Sequence, residues 1–260
     1  NPVGSVARFF NETKFFALIS NTQLNYEITP ELTFNSQLGL NINHSRQDIF
    51  NPTYFTTPNQ QQEINNVSRR VNENFDYVFN NTINYTQDFG KHYVNLLGGV
   101  LFDSQTFNYV SAFREDIPDD ENPDLRYLDA ATGEGISVGG NEAVETIFSG
   151  IFRGIYSYDN RYFFTGTIRA DESSKFAKGN RLGVFPSVSV AWDIDSESFF
   201  DVDFISNLRL KTGYGQIGNQ NINRNGQFFA IGTGNYVFGG DRVVTNFLSQ
   251  FRNPGLKWET

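Results

Sequence analysis

Site chemistry needs groups that attack, exchange protons or hold metal ions, and this chain supplies few of them. His44 and His92 are its only histidines, and it has no Cys. A Ser-His-acid triad would need one of them beside a nucleophile. The alternating segments described below put His44 at the far end of a strand and His92 beside a short turn, so no catalytic residue and no enzyme activity is expected. Two separated imidazoles without thiolates also leave the usual zinc arrangements bare, and neither a metal site nor a cofactor is expected. The run from Asp116 through Asp119, Asp120 and Glu121 to Asp124 offers the oxygens that calcium takes, but at the spacing of no standard calcium loop. A solvated loop is its other reading. Gly213, Gly215 and Gly218 look like a phosphate loop only superficially, because their spacing suits a strand that bends or is closely approached. Arg169 and Asp171 stand two apart, which puts both on one face of a strand. Phe228, Phe229, Tyr236 and Phe238 fall in one Gly- and Asn-rich stretch. Aromatic faces stack on sugar rings, which makes these four candidate substrate-binding residues, with packing among loops as the alternative.

The elements that would carry these residues are strands. Residues 32–43 alternate strictly, with Leu32, Phe34, Ser36, Leu38, Leu40 and Ile42 on one face and Thr, Asn, Gln and Gly on the other. The same rhythm predicts strands at 16–28, about 74–85, 92–107, 144–158, 162–171, 186–194 and 208–217, and the start of a ninth at 256–259. The strand at 92–107 is apolar on both faces and cannot be oriented. Short turns fall near 29, 89, 160 and 200, the last with a short helix capped by Ser196. Long loops are expected at 44–70, 110–142, around 178 and at 218–252. Tyr26, Tyr85, Tyr158, Tyr162 and Trp192 lie close to the short turns with the outward parity of their strands.

Aromatics make up 16% of the 260 residues, with 27 Phe and 12 Tyr, while hydrophobic residues total only 38%. No apolar run is long enough for a membrane-spanning helix, but a closed barrel spans with alternating strands. Long strands with apolar outsides, uncharged polar insides, alternating short and long connections and aromatics near the short turns describe an antiparallel transmembrane β-barrel. Eight strands suit part of a much larger, twenty-odd-stranded wall, so the chain reads as an internal fragment. A soluble carbohydrate-binding β-sandwich is the alternative, though Asn-rich faces would leave it little to bury. The net charge of -9 argues against nucleic acid.

From residue 152 onward the chain resembles the SusC/RagA family of TonB-linked outer-membrane transporters. The resemblance rests on Tyr156-Ser157-Tyr158-Asp159-Asn160-Arg161-Tyr162-Phe163-Phe164-Thr165-Gly166-Thr167 and on Arg169-Ala170-Asp171-Glu172-Ser173-Ser174-Lys175-Phe176. It continues through Asn180-Arg181, Phe185-Pro186-Ser187-Val188-Ser189, Trp192, Ser196-Glu197-Ser198-Phe199-Phe200, Leu208-Arg209-Leu210-Lys211 and Tyr214-Gly215-Gln216-Ile217-Gly218-Asn219-Gln220. Asn253-Pro254-Gly255-Leu256-Lys257-Trp258-Glu259-Thr260 closes it. Glu172 stands where the family usually has Gly, and Leu182 where it often has Trp. Residues 1–151 share only the strand rhythm. The resemblance implies one TonB-dependent receptor barrel domain of roughly 22 strands over residues 1–260, with the plug domain and the C-terminal strands outside this sequence. It implies energised import of glycan oligosaccharides or peptides across a bacterial outer membrane. The implied partners are outer-membrane lipid, a SusD-like surface lipoprotein, and TonB acting through the plug. Arg169 and Asp171 are then expected to face the lumen, where they pair with the plug or form a solvated pair near the outer rim.

Overall fold

The computed structural model describes residues 8–202, 204–222 and 226–260. Its strands are β1 (Phe10–Thr29), β2 (Leu32–Asn51), β3 (Tyr54–Thr57), β4 (Gln60–Gln62), β5 (Asn66–Phe89), β6 (His92–Glu115), β7 (Ile136–Tyr158), β8 (Tyr162–Ser173), β9 (Leu182–Asp193), β10 (Arg209–Gly215), β11 (Ala230–Phe238) and β12 (Asp241–Gln250). Eight form one sheet in the order β1-β2-β5-β6-β7-β8-β9-β10, and the pairs β3–β4 and β11–β12 form separate two-stranded sheets. The β7–β8, β8–β9 and β9–β10 pairings are antiparallel. This connectivity is that of an up-and-down barrel wall. A sandwich needs a second sheet of comparable size across the first, and the other two sheets are single hairpins.

The faces are sorted the opposite way from a soluble protein. On β7, Phe148, Phe152, Tyr156 and Tyr158 are exposed while Ser149 and Ser157 are buried. On β8, Tyr162, Phe164 and Ile168 are exposed while Asp171 and Ser173 are buried. Large apolar side chains therefore line the outer face, as a wall in lipid requires. The same test orients β6, which sequence could not: Leu96 and Val100 are exposed and Asn95 is buried, so its even positions face out. On β5 the apolar outer series runs from Phe75 to Tyr85. Ten residue steps cover about 33 Å of strand, or roughly 24 Å of height at a tilt near 45°, which matches the apolar band of outer-membrane barrels.

Several predicted boundaries change. The expected loop at 44–70 is largely strand and the one at 110–142 shrinks to residues 116–135, because β2 continues to Asn51, β5 starts at Asn66, β6 reaches Glu115 and β7 begins at Ile136. Polar pairs across the strands carry the ladder past the apolar band: Gln47 with Asn11 and Asn72 with Ser45. Strand β9 starts at Leu182 and contains Pro186, which pairs with Ile168 of β8. Its carbonyl accepts from Gln216 N–H, just beyond β10, so the missing proline N–H lies on that side and interrupts no bond to β8. The helix expected after residue 195 is a single 3-10 turn at Ile194–Ser196, where Ser196 is the last residue rather than the cap. The expected loop at 218–252 contains the β11–β12 hairpin. Near 256–259 there is one isolated bridge, Asn219 to Glu259, in place of a ninth strand.

By internal contacts the residues group into two compact units. One comprises residues 8–20, 40–77 and 105–144. Its core is Phe50, Val67, Ile117 and Ala131, with Phe10, Leu125, Leu128 and Ala130 packed against it. The other comprises residues 21–39, 78–104 and 145–260. Its turn at Asp159 and Asn160 has both residues at positive φ, the geometry that suits the twist of a hairpin and that Asp and Asn tolerate. Here the segment that closes the sequence resemblance docks on the β8–β9 loop. Trp258 packs 5.2 Å from both Phe176 and Phe185 and donates its Nε1–H to Arg181 O at 2.7 Å. Gly183 is needed there, since a Cβ would come within 2.5 Å of the Phe185 ring and 2.9 Å of Trp258.

Candidate functional site

Because neighbouring positions on a strand face opposite ways, the polar face of the wall is built from alternate residues. On β8 the sequence-predicted pair is brought together: Arg169 Nε donates to both Asp171 carboxylate oxygens, at 2.7 and 3.0 Å, and its Nη2 donates to Ser149 Oγ at 3.1 Å. Ser149 lies opposite Asp171 in the β7–β8 register. Two further pairs escaped the sequence reading. Arg209 of β10 faces Asp193 of β9, grips it through two hydrogen bonds, and sits over the Phe163 ring at 4.8 Å. Lys175 pairs with Glu145 at 3.4 Å. Sixteen residues separate Asp193 from Arg209, and only strand register brings them face to face.

In the other unit, the acidic run is held by the protein itself. Asp120 accepts from Thr53 N–H at 2.8 Å, from Thr53 Oγ1 at 2.5 Å and from Asn65 Nδ2, with Arg8 at 3.7 Å. Asn65 in turn accepts from Ile117 N–H at 2.6 Å and donates to Ile117 O at 2.9 Å. Burial pushes the Asp120 carboxyl up, but these hydrogen bonds and the Arg8 charge outweigh it and hold the group below the ordinary carboxylate range. Asp119 caps the Glu121 N–H and Asn122 caps the Asp124 N–H. Among the described residues, no group of three or more His, Asp or Glu is arranged to hold a metal ion. On the polar face of this unit the Arg70 guanidinium lies 4.0 Å over the Tyr109 ring, which sits 6.0 Å from Phe107.

The four candidate aromatics do not form one group. Phe228 and Phe229 precede β11 and Tyr236 and Phe238 lie near its tip, about 25–30 Å away along the strand. The hairpin register puts Tyr236 and Phe238 on the same face as Phe247, which stands opposite Gly232. The bare backbone at Gly232 and Gly234 leaves room for the Phe247 ring to lie across it. All four predicted aromatics and Phe247 are exposed. Phe247 carried no sequence signal of its own.

The two histidines meet different partners. His44 Nδ1 is 3.5 Å from Glu73, and His92 Nδ1 is 2.7 Å from Tyr156 Oη. His92 also begins an aromatic row: Tyr158 at 5.0 Å, then Tyr162 at 6.4 Å, Trp192 at 6.5 Å and Phe199 at 6.3 Å. Glu197 closes that row by accepting from Tyr162 Oη, Trp192 Nε1 and Arg161. Those donors, Tyr162 first and then Trp192, hold the Glu197 carboxyl below its ordinary range. Beside it, Asp159 is lowered mainly by the Lys91 hydrogen bond. Rings with polar tips in such a row form the girdle of an interfacial belt.

No protein-family model matches the chain. Over its whole length it is 28% identical to TonB-dependent receptor P39 of Formosa agariphila, covering 24% of that protein. Over 110 residues, 40% of the chain, it is 42% identical to TonB-dependent receptor SusC of Bacteroides thetaiotaomicron. It superposes on a structure of the RagAB peptide transporter with a TM-score of 0.85 over 97% of this chain and 28% of the other, at 23% identity. The chain is a barrel segment similar to TonB-dependent receptors, SusC among them. The segment spans about a quarter of the length of the curated relatives it matches along its full extent. Its eight-stranded sheet is a section of transmembrane β-barrel wall, and its relatives carry the names of receptors and transporters.

Proposed function

We propose that this segment forms part of the wall of a nutrient importer in a bacterial outer membrane. The observation that carries the reading is the sorting of the two faces: exposed aromatic and aliphatic side chains closed by the Tyr158–Tyr162–Trp192 row on one, and Arg–Asp and Asn–Asn pairs on the other. Such a wall passes cargo without transforming it. In this reading the whole protein is one barrel of roughly 22 strands around a plug, driven by TonB from the periplasm and covered by a SusD-like lipoprotein. Its cargo is oligosaccharide or peptide. Arg169 and Asp171 form a self-neutralised contact for the plug. Phe228, Phe229, Tyr236 and Phe238 divide, so that Tyr236 and Phe238, on the face they share with Phe247, offer the stacking face to cargo.

The test uses the full-length receptor in its own cells. Growth on, or uptake of, labelled peptide or oligosaccharide pools should fall when the gene is deleted and return with the intact copy. Y236S/F238S should lower uptake at limiting cargo, whereas F228S/F229S should leave it unchanged. Equal uptake with and without the gene would reject import, and equal uptake by all the loop variants would reject the stacking face alone.

A further inference from the structure

The outer face of the wall changes character at one level in the first unit. Below that level stand Ile42 of β2 and Phe75 of β5. One step above stand His44, Glu73, Asn108 of β6 and Glu142 of β7. Strand alternation puts all six on the apolar-facing side, and the His44–Glu73 contact at 3.5 Å shows that the upper row runs directly across the strands. Between the two levels lies a groove of about 400 Å³. Its floor is formed by Ile42, Phe75 and Thr106, and its upper lip carries the Glu73 and Glu142 carboxylates, the Asn108 amide and the His44 imidazole beside Glu73, with no Lys or Arg in its lining. In the barrel-wall reading the lower level lies at the edge of the apolar band and the upper one at headgroup height, so what fills the groove is lipid. Its chemistry selects among lipids, because an acyl chain suits Ile42 and Phe75 while the lip repels phosphate and attracts a cation.

Resting on the barrel-wall reading, we propose that this groove binds the amine headgroup of a membrane lipid, with Glu73 and Glu142 accepting from the ammonium and Asn108 bridging them. A cation-bridged lipid phosphate would call for several carboxylates converging on one point. Among the described residues no such group exists.

The test is native mass spectrometry of the full-length receptor in mild detergent. The probes are phosphatidylethanolamine, its N-acetylated form and phosphatidylglycerol. The amine lipid should be retained about fivefold over the other two, and E73Q/E142Q should erase that preference. Equal retention of the N-acetylated lipid would overturn the proposal, as would unchanged preference in the double variant. Retention of phosphatidylglycerol that appears only with magnesium would overturn it in favour of a cation bridge. The same samples should show the heat-modifiable gel mobility of a folded barrel. Losing that mobility would reject the wall itself, whereas keeping it without a lipid preference rejects only the groove.

Discussion

Asp120→Asn tests how the loop unit is held together. Asp120 Oδ2 receives two donors from Thr53, its N–H and its hydroxyl, and Oδ1 receives the Asn65 amide. An amide in place of the carboxylate keeps one acceptor and turns the other into a donor. Asn65 cannot turn to compensate, because its own Oδ1 and Nδ2 are both committed to the Ile117 backbone and it is 5% exposed. Whichever way the new amide points, one donor is left facing another. An orphaned buried donor costs about 1–3 kcal/mol, and the partial exposure of Asp120 puts the expected cost near the lower half of that range. The cost falls on the local opening that frees Ile117 from the core it shares with Phe50, Val67 and Ala131. Hydrogen exchange at the Ile117 amide in the full-length receptor should therefore speed up by roughly tenfold, with the β8 amides unchanged as an internal control. The wild type should show the same loosening in acid. Its folded pKa is depressed, so the stabilisation is complete above the unfolded carboxylate value near 4 and is lost as pH falls through the lower folded value. Unchanged protection of Ile117 in D120N at neutral pH would refute this account of the clasp.

Three further outcomes are expected. R169A leaves Asp171, 7% exposed, without its cation, and should lower wall stability by about 1–2 kcal/mol and loosen protease protection of the plug. R169A/D171N should recover part of that loss, and no difference between single and double variants would argue against the pair. Gly183→Ala should displace Trp258 from Phe185 at a cost of about 1–3 kcal/mol, read as a shift in tryptophan emission. Lowering pH should release Tyr162 and Trp192 from Glu197 only below the ordinary carboxylate range. E197Q should remove that acid transition from Trp192 emission, and a transition surviving in E197Q would assign it elsewhere.

What could be read from sequence follows the contrast between the two faces. Where lipid demands apolar side chains, as at Leu32–Ile42 or Phe75–Tyr85, alternation revealed both strand and orientation. Beyond the band both faces are polar, as at Asn43-His44-Ser45-Arg46-Gln47-Asp48, and the pattern vanishes although the ladder continues through pairs such as Arg69 with Asp48. Glycine and asparagine hid the β11–β12 hairpin for a related reason: Gly232 and Gly234 read as loop formers but serve as the floor for Phe247. Arg169 and Asp171 were legible because two-residue spacing suffices to make them neighbours. Arg209 with Asp193, and Glu197 with Tyr162 and Trp192, depend on register and on the course of a turn.

The pairing of charges within the wall has a kinetic meaning. Arg169 answers Asp171, Arg209 answers Asp193 and Lys175 answers Glu145, while between the strands the Asn95 amide donates to Asn84, which donates on to Thr86. Where charges are cancelled in this way and hydrogen bonds are interchangeable, a surface wets a moving polar solute but has little with which to arrest it. Each contact the solute gives up is replaced by an equivalent one a strand away, so no step along the surface is a deep trap. In the importer proposed above, friction along this wall stays low, and selectivity is exercised before entry or by whatever fills the passage.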